Sequence, residues 1–412
     1  MRALVQPLAA RCYYGWVMLG TVSVTEVVSW GILYYAFSVF VAPMQAEPGW
    51  SQPAVTGAFS LALLCSGLAA VPVGRWLDRH GPRGVMTAGS VLGSLLLVAW
   101  SQVQSLWALY LVLAGIGAAM AAVLYEPAFA IVATWFRRKR GRALTVLTFF
   151  GAWASFLFIP LSSRLVEALG WRQALLALAA ILGAATILPH ALLLRRRPRD
   201  LGLLPDGEPS ALVDTPSTPA PERSRTSREA LREGGFWWLS FTFAVSTFSG
   251  VALTVHLIPY LVSRGHAPGF AAMVAGLFGL MSLAGRLLIG PLGDRVPRRL
   301  VTAGLMAMQV AALLVLALAP TAIGALVYVA LFGAGTGTMT IMRAALLAER
   351  YGAANYGSIQ GAQSFVLAGA RTLAPLGAGL LASALGGYPA LLLVLAALSA
   401  AGLVALGRVR DH

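Results

Sequence analysis

Apolar residues run through this chain in long blocks separated by short polar intervals. Twelve such blocks fall near 14–42, 54–76, 84–101, 107–134, 143–165 and 171–193, then near 235–262, 270–292, 300–318, 322–347, 357–383 and 388–407, numbered here as spans 1 to 12. Each is about long enough to cross a hydrocarbon core of ~30 Å, which takes roughly 20 helical residues. Lipid offers an unpaired backbone amide no partner, so the blocks are predicted as helices. Composition points the same way: 58% of the 412 residues are hydrophobic and 11% charged, against roughly 25% charged in a soluble domain. The expected class is all-α, a polytopic membrane protein of twelve transmembrane helices in two pseudo-symmetric six-helix bundles.

The symmetry comes from a repeated pattern. Gly74-Arg75-Trp76-Leu77-Asp78-Arg79-His80-Gly81-Pro82-Arg83 follows span 2, and Gly290-Pro291-Leu292-Gly293-Asp294-Arg295-Val296-Pro297-Arg298-Arg299 follows span 8. Both read Gly, three residues, Asp-Arg, then more basic residues. The same offset pairs Pro43 with Pro259, so the chain reads as a duplicated bundle, an architecture of secondary transporters. The expected domains are 1–193, a linker at 194–234 and 235–412. The linker carries Pro205, Pro209, Pro216, Pro219 and Pro221 among Ser, Thr, Glu and Arg, which cannot assemble a core. A short amphipathic helix is expected near Ser227–Glu233.

Charge orients the bundle. With the N-terminus inside, 24 of the 30 Lys and Arg fall on the cytoplasmic side, among them Arg137-Arg138-Lys139-Arg140 and Arg195-Arg196-Arg197. Arg164, Arg172 and Arg264 fall opposite, and three more lie within spans. This bias predicts both termini in the cytoplasm, in a cell (inner) membrane. It also explains the net charge of +15 without nucleic acid. Two cysteines, Cys12 and Cys65, make no disulfide framework, and no spacing suggests a metal or cofactor site. Arg2 and Arg11 precede span 1 without a small-residue cleavage site, so span 1 is read as retained.

With Gly74, Asp78, Arg79 and Gly81 in the loop between spans 2 and 3, and the echo at Gly290, Asp294 and Arg295, the chain resembles the major facilitator superfamily along essentially its whole length. The resemblance implies that the Asp of this turn caps a helix in the opposite half and pairs with nearby Arg, closing the cytoplasmic side. Asp78, Arg79, Asp294 and Arg295 are then gate residues. The alternative is a solvated turn charge. Tyr14-Gly15-Trp16 with Gly20, and Tyr35-Ala36-Phe37-Ser38-Val39-Phe40 followed by Glu47 and Gly49-Trp50-Ser51, narrow the similarity to the monocarboxylate-transporter and oxalate/formate-antiporter branch. Span 5, with Gly151-Ala152-Trp153-Ala154-Ser155 and Ile159-Pro160-Leu161, lacks the Gly-Pro-x-x-Gly-Gly run of drug/proton antiporters.

Ionisable residues inside the spans carry the chemistry. A charge at mid-membrane costs roughly 2.5–3.5 kcal/mol and needs a partner or a wet cavity. Arg286 lies in span 8 and Arg371 in span 11, about 14 residues from the span's cytoplasmic end, or roughly 21 Å at the helical rise. Neither span holds an acid. Arg presents a planar fork that fits a carboxylate, so an anionic ligand is expected. The branch resemblance likewise implies basic residues on spans 8 and 11 for substrate. The alternative is pairing with carbonyls at a kink, or with acids from the other half. Tyr34 and Gln363 complete the candidate substrate contacts.

Animal monocarboxylate carriers place an Asp one turn before the span 8 Arg, where this chain has Ser282, and their span 1 Lys falls at Tyr34. A coupling proton must therefore ride elsewhere. Glu26 in span 1 and His256 in span 7 are the candidates, with a packing histidine as the alternative for His256. Glu126 in span 4 and Arg343 in span 10 are an expected inter-half latch, with Arg343 as a third substrate ligand the competing reading. Gly333-Ala334-Gly335-Thr336-Gly337 inside span 10 is read as close helix packing and not a phosphate loop, which requires a strand-turn-helix setting and a Lys.

The expected function is secondary active transport of a small mono- or dicarboxylate by proton symport or anion exchange, by a monomer in the bilayer. The alternatives are efflux of a larger amphipathic compound, or a transport-inactive sensor on the same fold. No nucleophile–base pair suggests an enzyme.

Overall fold

The computed structural model describes residues 13–45, 50, 52–207 and 225–409. Arg2, Arg11, Cys12, Glu47, Gly49, Ser51 and linker residues 208–224 lie outside them. The described residues are helical throughout, with no strand. Eleven helices are long and apolar enough to span a membrane, or twelve when the bent pair Tyr356–Pro375 and Gly377–Ala384 counts as one. Their outer faces keep large apolar side chains in the open, such as Trp107, Phe156, Leu318 and Ile323, all at least 70% exposed. That is the surface a bilayer demands.

Contacts divide the chain into two units, 1–225 with 351–365, and 226–350 with 366–412. In the first, span 1 is not one α-helix. Tyr14–Ser29 passes through a π-helical turn, Trp30–Tyr35, into Phe37–Gln45. A π turn widens the helix by a residue and commonly marks a functional position. Here it sets Trp30 edge-to-face with Tyr34 and at a tilt to Tyr35, with ring centroids 5.1 and 6.1 Å apart.

Spans 2 and 3 are Gln52–His80 and Pro82–Ser101. Span 4 breaks at Leu124 into Leu106–Val123 and Tyr125–Trp135. Pro127 is the cause: its ring would clash with the Val123 carbonyl if one helix ran through. The break leaves Glu126 in the first turn of a new helix, where a carboxylate is favoured. Spans 5 and 6 are Arg140–Leu169 and Trp171–Leu193, hinged at Gly170 with φ 78°. Phe37, Phe40, Trp100, Leu113 and Leu178 centre the unit's apolar core.

In the second unit the expected short helix forms at Ser227–Arg232. Thr226 and Glu229 cap each other at its start, a reciprocal capping box. Spans 7 to 10 are Gly234–Ser263, Pro268–Leu288, Arg298–Leu318 and Ala322–Tyr351. Spans 8 and 10 touch backbone to backbone. A Cβ on Gly285 would strike the Ala334 carbonyl, and one on Gly337 the Ser282 carbonyl. The span 10 glycines therefore serve close packing. Spans 11 and 12 are Tyr356–Ala384 and Tyr388–Gly407.

Candidate functional site

The turn after span 2 is shaped by one left-handed glycine. Gly81 adopts φ 79°, its N–H donates to the Leu77 carbonyl at 2.8 Å, and Pro82 opens span 3. This is the Gly-then-Pro punctuation that ends one helix and starts another. It leaves Asp78 on the last turn of span 2. There Oδ1 accepts from the Gly357 N–H and Oδ2 from the Ser358 N–H, both at 2.8 Å. These are first-turn amides of span 11, which no helical carbonyl satisfies. Gly74 is required by the same contact, because a Cβ there would meet the Gly357 carbonyl. Arg79 is exposed.

The echo folds differently. Gly290–Asp294 is a 3-10 turn, and Asp294 lies 3.9 Å from Arg298 in an i,i+4 pair. Arg298 also donates to Glu349 at 2.9 Å, and Arg295 is exposed.

The interior of the first unit is acidic and amide-rich. Glu26 is fully buried, and neither of its oxygens has a hydrogen-bond partner among the described residues. The Glu126 carboxylate is its charged neighbour. Glu126 in turn accepts from the Ser364 hydroxyl at 3.0 Å. Gln360 and Gln363, on the same opening turns of span 11, are 2% and 0% exposed, and their amides have no partner among the described residues. Tyr34 stands in an aromatic cluster with Trp30, Tyr35 and Phe59.

The interior of the second unit is basic and hydroxylic. A cavity of about 240 Å³ is lined by Arg343 and Arg371 with Ser246, Thr247, Thr254 and Thr340. Arg371 is exposed and has no hydrogen bond or ion pair among the described residues, while Arg343 is buried. Arg286 does not line this cavity. Its Nε–H points at the Gly337 carbonyl at 3.4 Å, one residue from the cavity-lining Thr336. His256 is also tied to backbone, with Nε2 3.0 Å from the Pro375 carbonyl where span 11 bends. The structure thus brings Arg343 together with Arg371, and sets Arg286 and His256 beside helix backbone.

Two features escaped the sequence reading. His190 in span 6 is fully buried, with Nδ1 2.9 Å from Ser90 Oγ and Nε2 2.9 Å from Thr25 Oγ1. It braces spans 1, 3 and 6 beside Glu26. An ionisable residue inside an apolar run was the available signal. Gln360 was missed because its side chain is uncharged. Only its placement one turn before Ser364, on the same helix face, marks it.

Comparison with known proteins supplies the remaining evidence. The family model described as Major Facilitator Superfamily matches residues 23–375 and 263–412. Bovine monocarboxylate transporter 13 is 28% identical over 82% of this chain and 76% of its own length. Human monocarboxylate transporter 11 is 32% identical over 71% of this chain and 59% of its own. The oxalate:formate antiporter of Oxalobacter formigenes is 28% identical over 64% of this chain and 60% of its own. This chain thus spans less than two thirds of the last two. Among solved structures, the E. coli fucose:proton symporter FucP superposes with a TM-score of 0.74 at 14% identity, covering 96% of this chain and 99% of that one. A bacterial ferroportin homologue, its organism not otherwise specified, gives 0.73 at 15%, covering 95% and 98%.

Proposed function

Because the chain belongs to the Major Facilitator Superfamily, a family of membrane carriers and not enzymes, we propose that it moves a small carboxylate across a cell membrane by alternating access. Its termini face the cytoplasm. The observation that carries this reading is Arg371, a guanidinium inside a span, beside Arg343 in a cavity with hydroxyls and no carboxylate in its lining. Two guanidiniums lining one cavity present planar forks that a carboxylate matches bidentately. The named relatives, monocarboxylate transporters and an oxalate:formate antiporter, agree with that substrate class.

Arg343 and Arg371 hold the carboxylate and the Thr340 hydroxyl donates to it, since the hydroxyls of Ser246 and Thr254 already donate to Gln309 and to the Gly250 carbonyl. Arg286 acts on this wall through span 10. Glu26 carries the coupling proton, as befits a fully buried carboxyl group inside a span. Asp78 is the gate latch, releasing and recapturing the first amides of span 11 in each cycle.

The test is uptake of radiolabelled mono- and dicarboxylates into proteoliposomes, with and without an imposed pH gradient. Saturable uptake of a carboxylate, competed by other carboxylates and not by amphipathic cations, supports the reading. Transport of the cations alone would establish efflux of larger amphipathic compounds, and transport of neither would point to a sensor.

A further inference from the structure

A cavity of about 860 Å³ lies on the loop face of the first unit, and the transport reading makes no use of it. Six arginines line it, Arg137, Arg138 and Arg140 from the turn before span 5 and Arg196, Arg197 and Arg199 from the segment after span 6. Only two carboxylates line it, Asp78 and Asp206, and both are committed to backbone. Asp206 accepts from the N–H groups of Arg137, Arg138 and Lys139 at 3.0, 2.7 and 3.2 Å. Asp78 holds Gly357 and Ser358.

All but Arg140 are exposed, and two of the six are fixed by their surroundings. Arg140 is 2% exposed and donates to the Ala133 and Phe136 carbonyls. The stem of Arg196 lies against Gly81. Asp206, at φ 61°, is the one described non-glycine residue with a left-handed backbone, a conformation kept only where surroundings enforce it. It pins the segment after span 6 onto the turn before span 5. The lining also holds apolar Leu77, Ile131 and Leu204.

We propose that this pocket binds a phosphate-bearing anion. Arginine's fork matches phosphate oxygens bidentately, and six arginines line one cavity. An anionic phospholipid headgroup and a soluble phosphoester share this chemistry, and the apolar residues in the same lining fit the lipid better. Asp78 and Gly357, the two sides of the latch contact, stand in the same wall, so occupancy and latching are linked, and linkage is reciprocal. The proposal is independent of which substrate is carried.

The test follows thermal unfolding of the purified full-length protein in neutral detergent. Short-chain phosphatidylglycerol is titrated in one arm and inorganic pyrophosphate in the other. Wild type is compared with Arg137→Gln/Arg196→Gln/Arg199→Gln, and with Arg232→Gln as a charge loss at an exposed position outside the pocket. The expected result is a saturable rise in Tm in at least one arm for wild type and Arg232→Gln. The triple variant should need at least roughly tenfold more ligand, as loss of charge-assisted hydrogen bonds implies. A response to phosphatidylglycerol alone assigns a lipid headgroup, and a response to pyrophosphate assigns a soluble phosphoester. If the triple variant does not elute as a folded monodisperse species, Arg199→Gln alone replaces it. No shift in either arm, or an unchanged response after the arginines are removed, overturns the proposal.

Discussion

The two units have interiors of opposite chemistry. The first holds Glu26 and Glu126, and the second holds Arg343 and Arg371 among hydroxyls. One unit supplies acid and the other supplies cations. The turns differ as well. Asp78 grips two backbone amides at 2.8 Å, whereas Asp294 has a side-chain neighbour at 3.9 Å. Pro291 and Gly293 account for that difference. They stand where Arg75 and Leu77 extend the first helix, and they turn the second into a short 3-10 segment.

The largest effect is expected in the basic unit. Arg371→Gln should lower carboxylate uptake by roughly ten- to a hundredfold, since a hydrogen bond to a charged group is worth about 1.5–3 kcal/mol. The variant's elution profile and melting temperature should stay near wild type, because Arg371 makes no internal bond to lose. A variant that unfolds instead would make Arg371 a structural residue and erase the contrast between units.

Neutralising the acidic unit should change coupling more than capacity. Glu26→Gln should retain exchange of substrate across the membrane while losing acceleration by an inward pH gradient, read as counterflow against gradient-driven uptake. If gradient-driven uptake survives intact, the proton travels elsewhere.

How far the sequence foretold this contrast depends on the residue. Span positions followed from hydropathy alone, because a bilayer permits so few backbone solutions. The Asp78 turn was legible because Gly81, Pro82 and Asp78 each have a local conformational reason for their place. Arg371 stood out as a cation in an apolar run. Its partnership with Arg343 did not, because a lining is set by which helix faces converge, and sequence spacing reports faces only within one helix. The π turn at Trp30–Tyr35 and the Glu126–Ser364 bond depend on tertiary packing and left no periodic trace. Arg286 and His256 were equally conspicuous in sequence, yet each forms a hydrogen bond with a backbone carbonyl.

The two turns give the next contrast. Asp78→Asn leaves one acceptor oxygen where two amides need partners, and should cost about 1 kcal/mol of the latched state, the usual worth of a helix cap. Asp294→Asn should cost less, because its contact with Arg298 at 3.9 Å is longer than a hydrogen bond. Transport rates of the two variants, measured side by side, check the ranking; equal losses would mean that the echo is an equally strong latch. Ser364→Ala, which removes one hydrogen bond to Glu126, should have an effect of the same order, shifting transport by roughly tenfold at most.

Calorimetric titration of purified wild type and Arg371→Gln with small mono- and dicarboxylates tests the assignment of the anion to the basic unit. The account predicts saturable binding of at least one carboxylate to wild type and its weakening, by roughly tenfold or more, in the variant. Equal affinity in both proteins would contradict it.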